Sequence, residues 1–297
     1  MSFRPRRTAL YMPGSNARAL EKARNLNVDV LLLDLEDSVA LDQKEMARDQ
    51  VVEAVKAGGF GHREVVIRIN GMNTPWGEAD LLAAASAKPD AIAVPKVDCA
   101  EDVYVVGRKL NDAGVDQAVR IWAMMETPGA MIRAAEIAGA VQEYHGRRLS
   151  CFVLGTNDLS KETRTAMVPG RAPMMPWLMQ CLAAARMSDL TILDGVFNQF
   201  NDAEGFVAEC EQGAQMGMDG KTIIHPKQIE DCNRIFSPSA EEIASCRTII
   251  DAFDAPENQS KNVMTINGKM VERLHAEMAR RVVEIADAIA KRDEQKS

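Results

Sequence analysis

Eight short apolar runs, each closed by a turn or cap residue and followed by helical periodicity, constrain this chain more than any other feature. They fall at 9–12, 30–35, 65–70, 91–94, 121–125, 151–154, 191–196 and 221–224. Strands that alternate with helices at spacings of roughly thirty residues predict an α/β fold, a (β/α)8 barrel of the TIM type. A doubly wound open sheet is the competitor. Its first turn is usually Gly-rich, and Pro13-Gly14-Ser15-Asn16 is not G-x-G-x-x-G. The 297 residues divide into a barrel over 1–235 and a C-terminal helical extension, or lid, over 236–297. The extension reads as a helix from Ser237-Pro238-Ser239 to about 253, then a polar linker over 254–262. A short extended element over 263–269 and an amphipathic helix over 270–292 complete it.

Caps punctuate the repeats. Ser15 can cap the first helix, Asp42 and Glu45 have capping-box spacing before the second, and one helix is expected over 130–141. The fifth run is the most telling: Ile121-Trp122-Ala123-Met124-Met125 ends in Glu126, after which Thr127 is an N-cap and Pro128 suits the first helical position. The sixth, Cys151-Phe152-Val153-Leu154, leads to Asn157-Asp158.

In a barrel the carboxyl ends of the strands form the reactive face. The polar residues expected there are Glu36, Asp37, Arg68, Asn70, Lys96, Glu126, Asn157, Asp158, Asp194 and His225. Glu126 and Asp158 follow adjacent strands and can converge on a hard cation that keeps water or substrate oxygens, the habit of Mg²⁺. Alternatively, each acid caps a helix or pairs with Arg68. Arg68 either neutralises the acids or holds a substrate carbonyl and the enolate formed from it. Asp37 either orients Arg68, carries water or caps a helix. His225 before Pro226 reads as structural. Lys96 would suit a Schiff base, but a metal pair makes that redundant. Gly220-Lys221-Thr222 mimics a P-loop end, yet Gln215 stands where the first glycine belongs and a strand follows where a helix should.

The bulk numbers exclude several classes. Net charge of -8, from 35 basic and 43 acidic residues, disfavours nucleic acid and anionic membranes as partners. No apolar run approaches the roughly 20 residues of a membrane span, and the basic start Met1-Ser2-Phe3-Arg4-Pro5-Arg6-Arg7 is not a signal peptide. A cytoplasmic enzyme is expected. Six scattered cysteines and four histidines show neither disulfide nor zinc spacing.

Taken in order, Leu10-Tyr11-Met12-Pro13-Gly14, Leu33-Asp34-Leu35-Glu36-Asp37, Arg68-Ile69-Asn70, Val94-Pro95-Lys96-Val97, Met125-Glu126-Thr127 and Gly155-Thr156-Asn157-Asp158-Leu159 form a set. It continues with Gly217-Met218-Asp219-Gly220-Lys221, Ile224-His225-Pro226 and Asn267-Gly268-Lys269-Met270-Val271-Glu272. The set resembles the citrate lyase β-subunit-like family of the HpcH/HpaI aldolase superfamily, which includes malyl-CoA and citramalyl-CoA lyases. The resemblance implies Mg²⁺ on Glu126 and Asp158, Arg68 on the substrate carbonyl, and CoA along the first βα segment near Tyr11, Arg18 and Lys22. Arg18 and Lys22, four apart on one helix face, can share a phosphate. It also implies a homo-oligomer, a trimer or hexamer, whose lid crosses to a neighbouring subunit and supplies an aspartate. Here Glu272 holds that position, one methylene longer.

The expected reaction is therefore Mg²⁺-dependent carbon–carbon cleavage of a malyl-, methylmalyl- or citramalyl-CoA to a 2-oxo acid and an acyl-CoA. Arg68, Asp37 and Glu272 would be catalytic. The alternatives are a malyl-CoA-type thioesterase, a metal aldolase acting on free sugar-like acids, and an accessory β subunit of a citrate-lyase-like complex.

Overall fold

Eight parallel strands close on themselves in sequence order, β1 (Thr8–Pro13), β2 (Val30–Asp34), β3 (Glu64–Arg68), β4 (Ala91–Val94), β5 (Arg120–Met125), β6 (Leu149–Leu154), β7 (Thr191–Asp194) and β8 (Gly220–Ile223), with β8 paired back to β1. The structure is a computed structural model and describes residues 4–294. The expected (β/α)8 barrel is what forms, because parallel strands buried on both faces need continuous apolar runs and covering helices. β2 and β3 are buried at every position.

Side chains alternate across the barrel wall with a period of two. Val30 and Leu32, Val66, Trp122 and Met124, and Leu193 point inward and pack together as the barrel core. Continuing those rows by two puts Asp34, Arg68 and Glu126 on the inside at the carboxyl end. The other end is closed by charge. The Arg6 guanidinium donates to both Glu64 carboxylate oxygens at 2.7 and 2.8 Å and lies 4.9 Å from the Trp122 ring centroid.

Local signals resolve differently in four places. Asn16, not Ser15, caps the helix Ala17–Ala23, its Oδ1 accepting from Ala19 N–H at 3.0 Å. The Asp42/Glu45 capping box does not form. A 3-10 turn, Leu41–Gln43, runs into the helix Lys44–Ala57, because the buried Lys44 ammonium donates to the Leu35 and Glu36 carbonyls and fixes where the helix begins. The helix expected over 130–141 is broken into Pro128–Ile132 and Ala134–Gly139 at Arg133, which turns its guanidinium to Asp98. Finally, the extended element near 263–269 is a hairpin, β9 (Val263–Ile266) with β10 (Lys269–Glu272). Asn267 and Gly268 both have positive φ, as a two-residue hairpin turn of the Asn-Gly kind requires.

The described residues divide into two compact units, Arg6–Asn233 and a second that runs over Arg234–Glu294 and includes Arg4 and Pro5. In the second unit the helices Ala240–Asp254 and Arg273–Glu294 pack with the hairpin around Phe253, Val271 and Ala276. Among the described residues no helix is long and apolar enough to cross a membrane.

Candidate active site

Arg68 is the hub of the barrel mouth. Strand register sets Asp34 directly beside it, and the pair is bidentate: Arg68 Nε donates to Asp34 Oδ1 at 2.6 Å and Nη2 to Oδ2 at 2.7 Å. Burial works against the Asp34 charge, but the guanidinium holds its carboxyl below the usual carboxylate range. Ser38 and the Glu36 N–H also donate to Asp34. The guanidinium lies 4.8 Å from the Tyr11 ring centroid, a cation–π contact. Two of the three guanidinium nitrogens are thus committed to orientation. The third, Nη1, donates to Asp37 Oδ2 at 3.2 Å and lies 2.9 Å from Glu36 Oε2 without pointing its N–H there.

Glu36 and Asp37 differ sharply. Asp37 is two-thirds exposed (66%), whereas the Glu36 side chain is 13% exposed. Burial, only partly offset by Arg68, pushes the Glu36 carboxyl up to about 8, and the charges of Asp37, Glu126 and Asp34 add to the rise. Glu36 rather than the expected Asp37 therefore has the enclosed setting that suits proton transfer. Asp34 is absent from the expected strand-tip residues, although the period-two pattern from Val30 and Leu32 aims it inward.

Glu126 and Asp158 are both contacted by Lys96. Glu126 is 1% exposed and accepts the Lys96 backbone N–H on Oε1 at 2.8 Å. The Lys96 ammonium donates to Asp158 Oδ1 at 2.5 Å. Burial pushes the Glu126 carboxyl up to about 7, with the Asp158 charge adding to the rise and the Lys96 N–H opposing it. Gly155 makes room for this carboxylate: a Cβ there would lie 2.3 Å from Glu126 Oε2. Thr127 caps the next helix as expected, its hydroxyl accepting from Ala130 N–H at 2.9 Å. Asp158 sits in the first turn of the helix Thr156–Thr163, not on a strand tip. That position favours negative charge.

The donor set fits a hard divalent cation: two carboxylate groups, one raised by burial and by the other's charge. Among the described residues no three acidic, histidine or cysteine side chains cluster as a metal cage. A cation here would complete its shell with water or substrate oxygens.

Other expected mouth residues have different work. Asn70 is buried and bonded to Asp80 and the Leu35 carbonyl. His225 stacks on Phe200 and caps the turn Pro226–Gln228, accepting from Lys227 N–H at 3.1 Å. Asp194 follows the inward Leu193 and therefore faces outward, where Lys221 and Arg171 hold it at 2.8 and 2.7 Å. Arg18 and Lys22 are exposed on the helix Ala17–Ala23, while Tyr11 lies on the barrel side against Arg68. Glu272 closes β10 in the second unit, where its backbone N–H donates to His275 Nδ1 at 2.9 Å.

The sequence profile described as HpcH/HpaI aldolase/citrate lyase matches residues 7–226, the barrel almost from end to end. The chain belongs to this family. A (3S)-malyl-CoA thioesterase of Cereibacter sphaeroides is 48% identical over 96% of both chains, and three further relatives of that name are 46–48% identical. An L-malyl-CoA/beta-methylmalyl-CoA lyase of the same species is 32% identical over 97% of this chain and 96% of its own. The structure of CitE from Mycobacterium tuberculosis in complex with magnesium, acetoacetate and coenzyme A superposes with a TM-score of 0.75 at 26% identity. It covers 95% of this chain and 98% of that one.

These likenesses correct the expected reaction. The carbon–carbon lyase reading gives way, because relatives at 46–48% identity are named thioesterases and relatives named as lyases stand at 31–32%. The physical reason the motifs misled is that both reactions can use an acid pair and an arginine facing a thioester carbonyl, so the shared motifs do not separate them.

Proposed function

We propose that this protein is a thioesterase that hydrolyses a 3-hydroxy-dicarboxylyl-CoA of the (3S)-malyl type. The observation that carries the reading is the 46–48% identity, over 96% of both chains, to relatives named for that activity. In the hydrolysis, water adds to the thioester carbonyl, the new C–O bond stays, the C–S bond breaks, and CoA leaves as a thiolate that takes up a proton.

Arg68 Nη1, with the rest of its fork held by Asp34, donates to the carbonyl oxygen as it becomes an oxyanion, a contact that strengthens only as charge develops. Glu36 takes the proton from the attacking water. A carboxyl raised to about 8 is close to the pKa at which a general base works best at neutral pH. Asp37, on the exposed side of Arg68, steadies Nη1 when no substrate is bound. Glu126 and Asp158 are the residues that would hold Mg²⁺, which supplies positive charge to orient the acyl group's own carboxylate and hydroxyl oxygens. Arg18 and Lys22 face solvent from one helix and suit the phosphates of CoA. Glu272, on a lid delivered by a neighbouring copy, is the competing candidate for the base.

The test is product analysis of purified protein with Mg²⁺ and (3S)-malyl-CoA, run in parallel with Glu36→Gln and Glu272→Gln. Free CoA should appear with an equal amount of malate and without glyoxylate. Glu36→Gln should reduce kcat by at least about a hundredfold. Loss of comparable size in Glu272→Gln alone would move the base to the lid, and no CoA release by the unaltered protein would end the proposal.

A further inference from the structure

Lys96 occupies an unusual position for a residue with no part in the reaction above. Its backbone φ is +51°, in the left-handed region that strains any residue with a Cβ. The turn is clamped from one side: the Thr127 hydroxyl donates to Asp98 Oδ1 at 2.7 Å, Arg133 Nε donates to the Asp98 carbonyl at 2.7 Å, and Arg133 Nη2 pairs with the Asp98 carboxylate. Held this way, a single residue addresses both acids of the pair. Its N–H goes to Glu126 and its ammonium to Asp158.

The two contacts differ in permanence. The backbone contact to Glu126 is built into the turn. The ammonium sits on a flexible four-carbon stem, 40% exposed, and reaches Asp158 from the open side. A lysine ammonium this exposed is an ordinary cation at neutral pH, and it rests on a carboxylate that a divalent cation needs. Two cations beside one carboxylate repel each other, and the one on the flexible stem is the one able to leave.

We propose that Lys96 is the internal counter-ion of the Glu126–Asp158 pair, displaced when a divalent cation binds, and that the released ammonium then takes the free carboxylate of the substrate's acyl group. The second half rests on the thioesterase reading; the first does not. This division of labour would make cation binding and selection of a dicarboxylyl substrate two uses of one side chain. It also gives a use to a lysine in a backbone conformation that a glycine would adopt without strain.

The test measures Mn²⁺ binding by electron paramagnetic resonance without substrate, in the unaltered protein, Lys96→Met, Lys96→Gln and Lys96→Arg. Loss of a competing partly exposed ion pair should tighten Mn²⁺ binding about fivefold in the two neutral variants and leave Lys96→Arg near the original. On the unaltered protein, Mn²⁺ should speed acetylation of Lys96 by acetic anhydride, read by peptide mass spectrometry, a measurement that needs no variant to fold. Unchanged or weaker binding in the neutral variants, or acetylation indifferent to Mn²⁺, overturns the counter-ion role. For the substrate half, the neutral variants should raise KM for (3S)-malyl-CoA about tenfold, the loss of one charged hydrogen bond, and leave KM for 3-hydroxybutyryl-CoA unchanged. An equal rise for both substrates removes the carboxylate contact, and absence of any hydrolysis counts against the thioesterase reading without touching the Mn²⁺ result.

Discussion

At the scale of single residues, the mouth of the barrel depends on groups that do no chemistry. Asp34 spends both carboxylate oxygens on Arg68, which leaves one nitrogen facing the acids Glu36 and Asp37. Gly155 holds no charge, yet a Cβ there would fall 2.3 Å from a Glu126 oxygen. Gly155→Ala should therefore displace that carboxylate and weaken Mg²⁺ binding about 10- to 100-fold, the usual effect of disturbing a ligand's support, in titration calorimetry. Undiminished affinity would mean Glu126 is not a ligand. A pH profile tests Glu36. Its carboxyl, raised to about 8 by burial, is protonated below that value and can accept a proton only above it. The kcat/KM for hydrolysis should accordingly rise with pH through a limb above the ordinary carboxylate range, and Glu36→Gln should abolish the limb along with most of the activity. A limb in the ordinary carboxylate range would assign the base elsewhere.

Among the elements, β7 and β8 carry a buried charge cluster on the helix side of the barrel wall. Asp194 at the end of β7 is fully buried and receives Lys221 of β8 and Arg171, while Lys221 also reaches Glu209 on the helix Ala203–Met216 at 2.7 Å. Burial opposes the Asp194 charge, but Lys221 and Arg171 hold its carboxyl below the usual range. Asp194→Ala would leave two cations buried without that partner and should cost about 3–5 kcal/mol in a denaturant melt. A loss under 1 kcal/mol would show that the cluster relaxes. The same strands show what could be read beforehand. Eight strands in order, and the acids after β5 and β6, were legible because hydrophobic runs and turn residues report them directly. Asp194 does not reach the mouth as expected, because a position at a strand end does not by itself fix which face the side chain takes. The inward Leu193 fixes the next residue outward. The Lys44 anchor and the Arg133 break are illegible for another reason: Lys44 turns back to carbonyls in the preceding loop and Arg133 to Asp98, 35 residues away, and neither contact leaves a mark on the local pattern. The β9–β10 hairpin was readable from Asn267-Gly268, a turn signal that lay inside an otherwise helical-looking tail.

For the molecule as a whole, the ordered motifs sufficed for the family, and they stopped short of the reaction. Hydrolysis and carbon–carbon cleavage of one CoA ester can each use an arginine and an acid pair of this kind. What separates them is which bond the site exposes to water, and that is spread over many residues, so whole-chain similarity carries more weight than any motif. Whether water adds to the thioester carbonyl is read directly from a single turnover of (3S)-malyl-CoA with Mg²⁺ in ¹⁸O-enriched water, followed by mass spectrometry of the acids released. Hydrolysis predicts malate carrying one solvent oxygen in the carboxylate that had been the thioester, with one free CoA for each. Glyoxylate and acetyl-CoA as the first products, or malate without label, would contradict it.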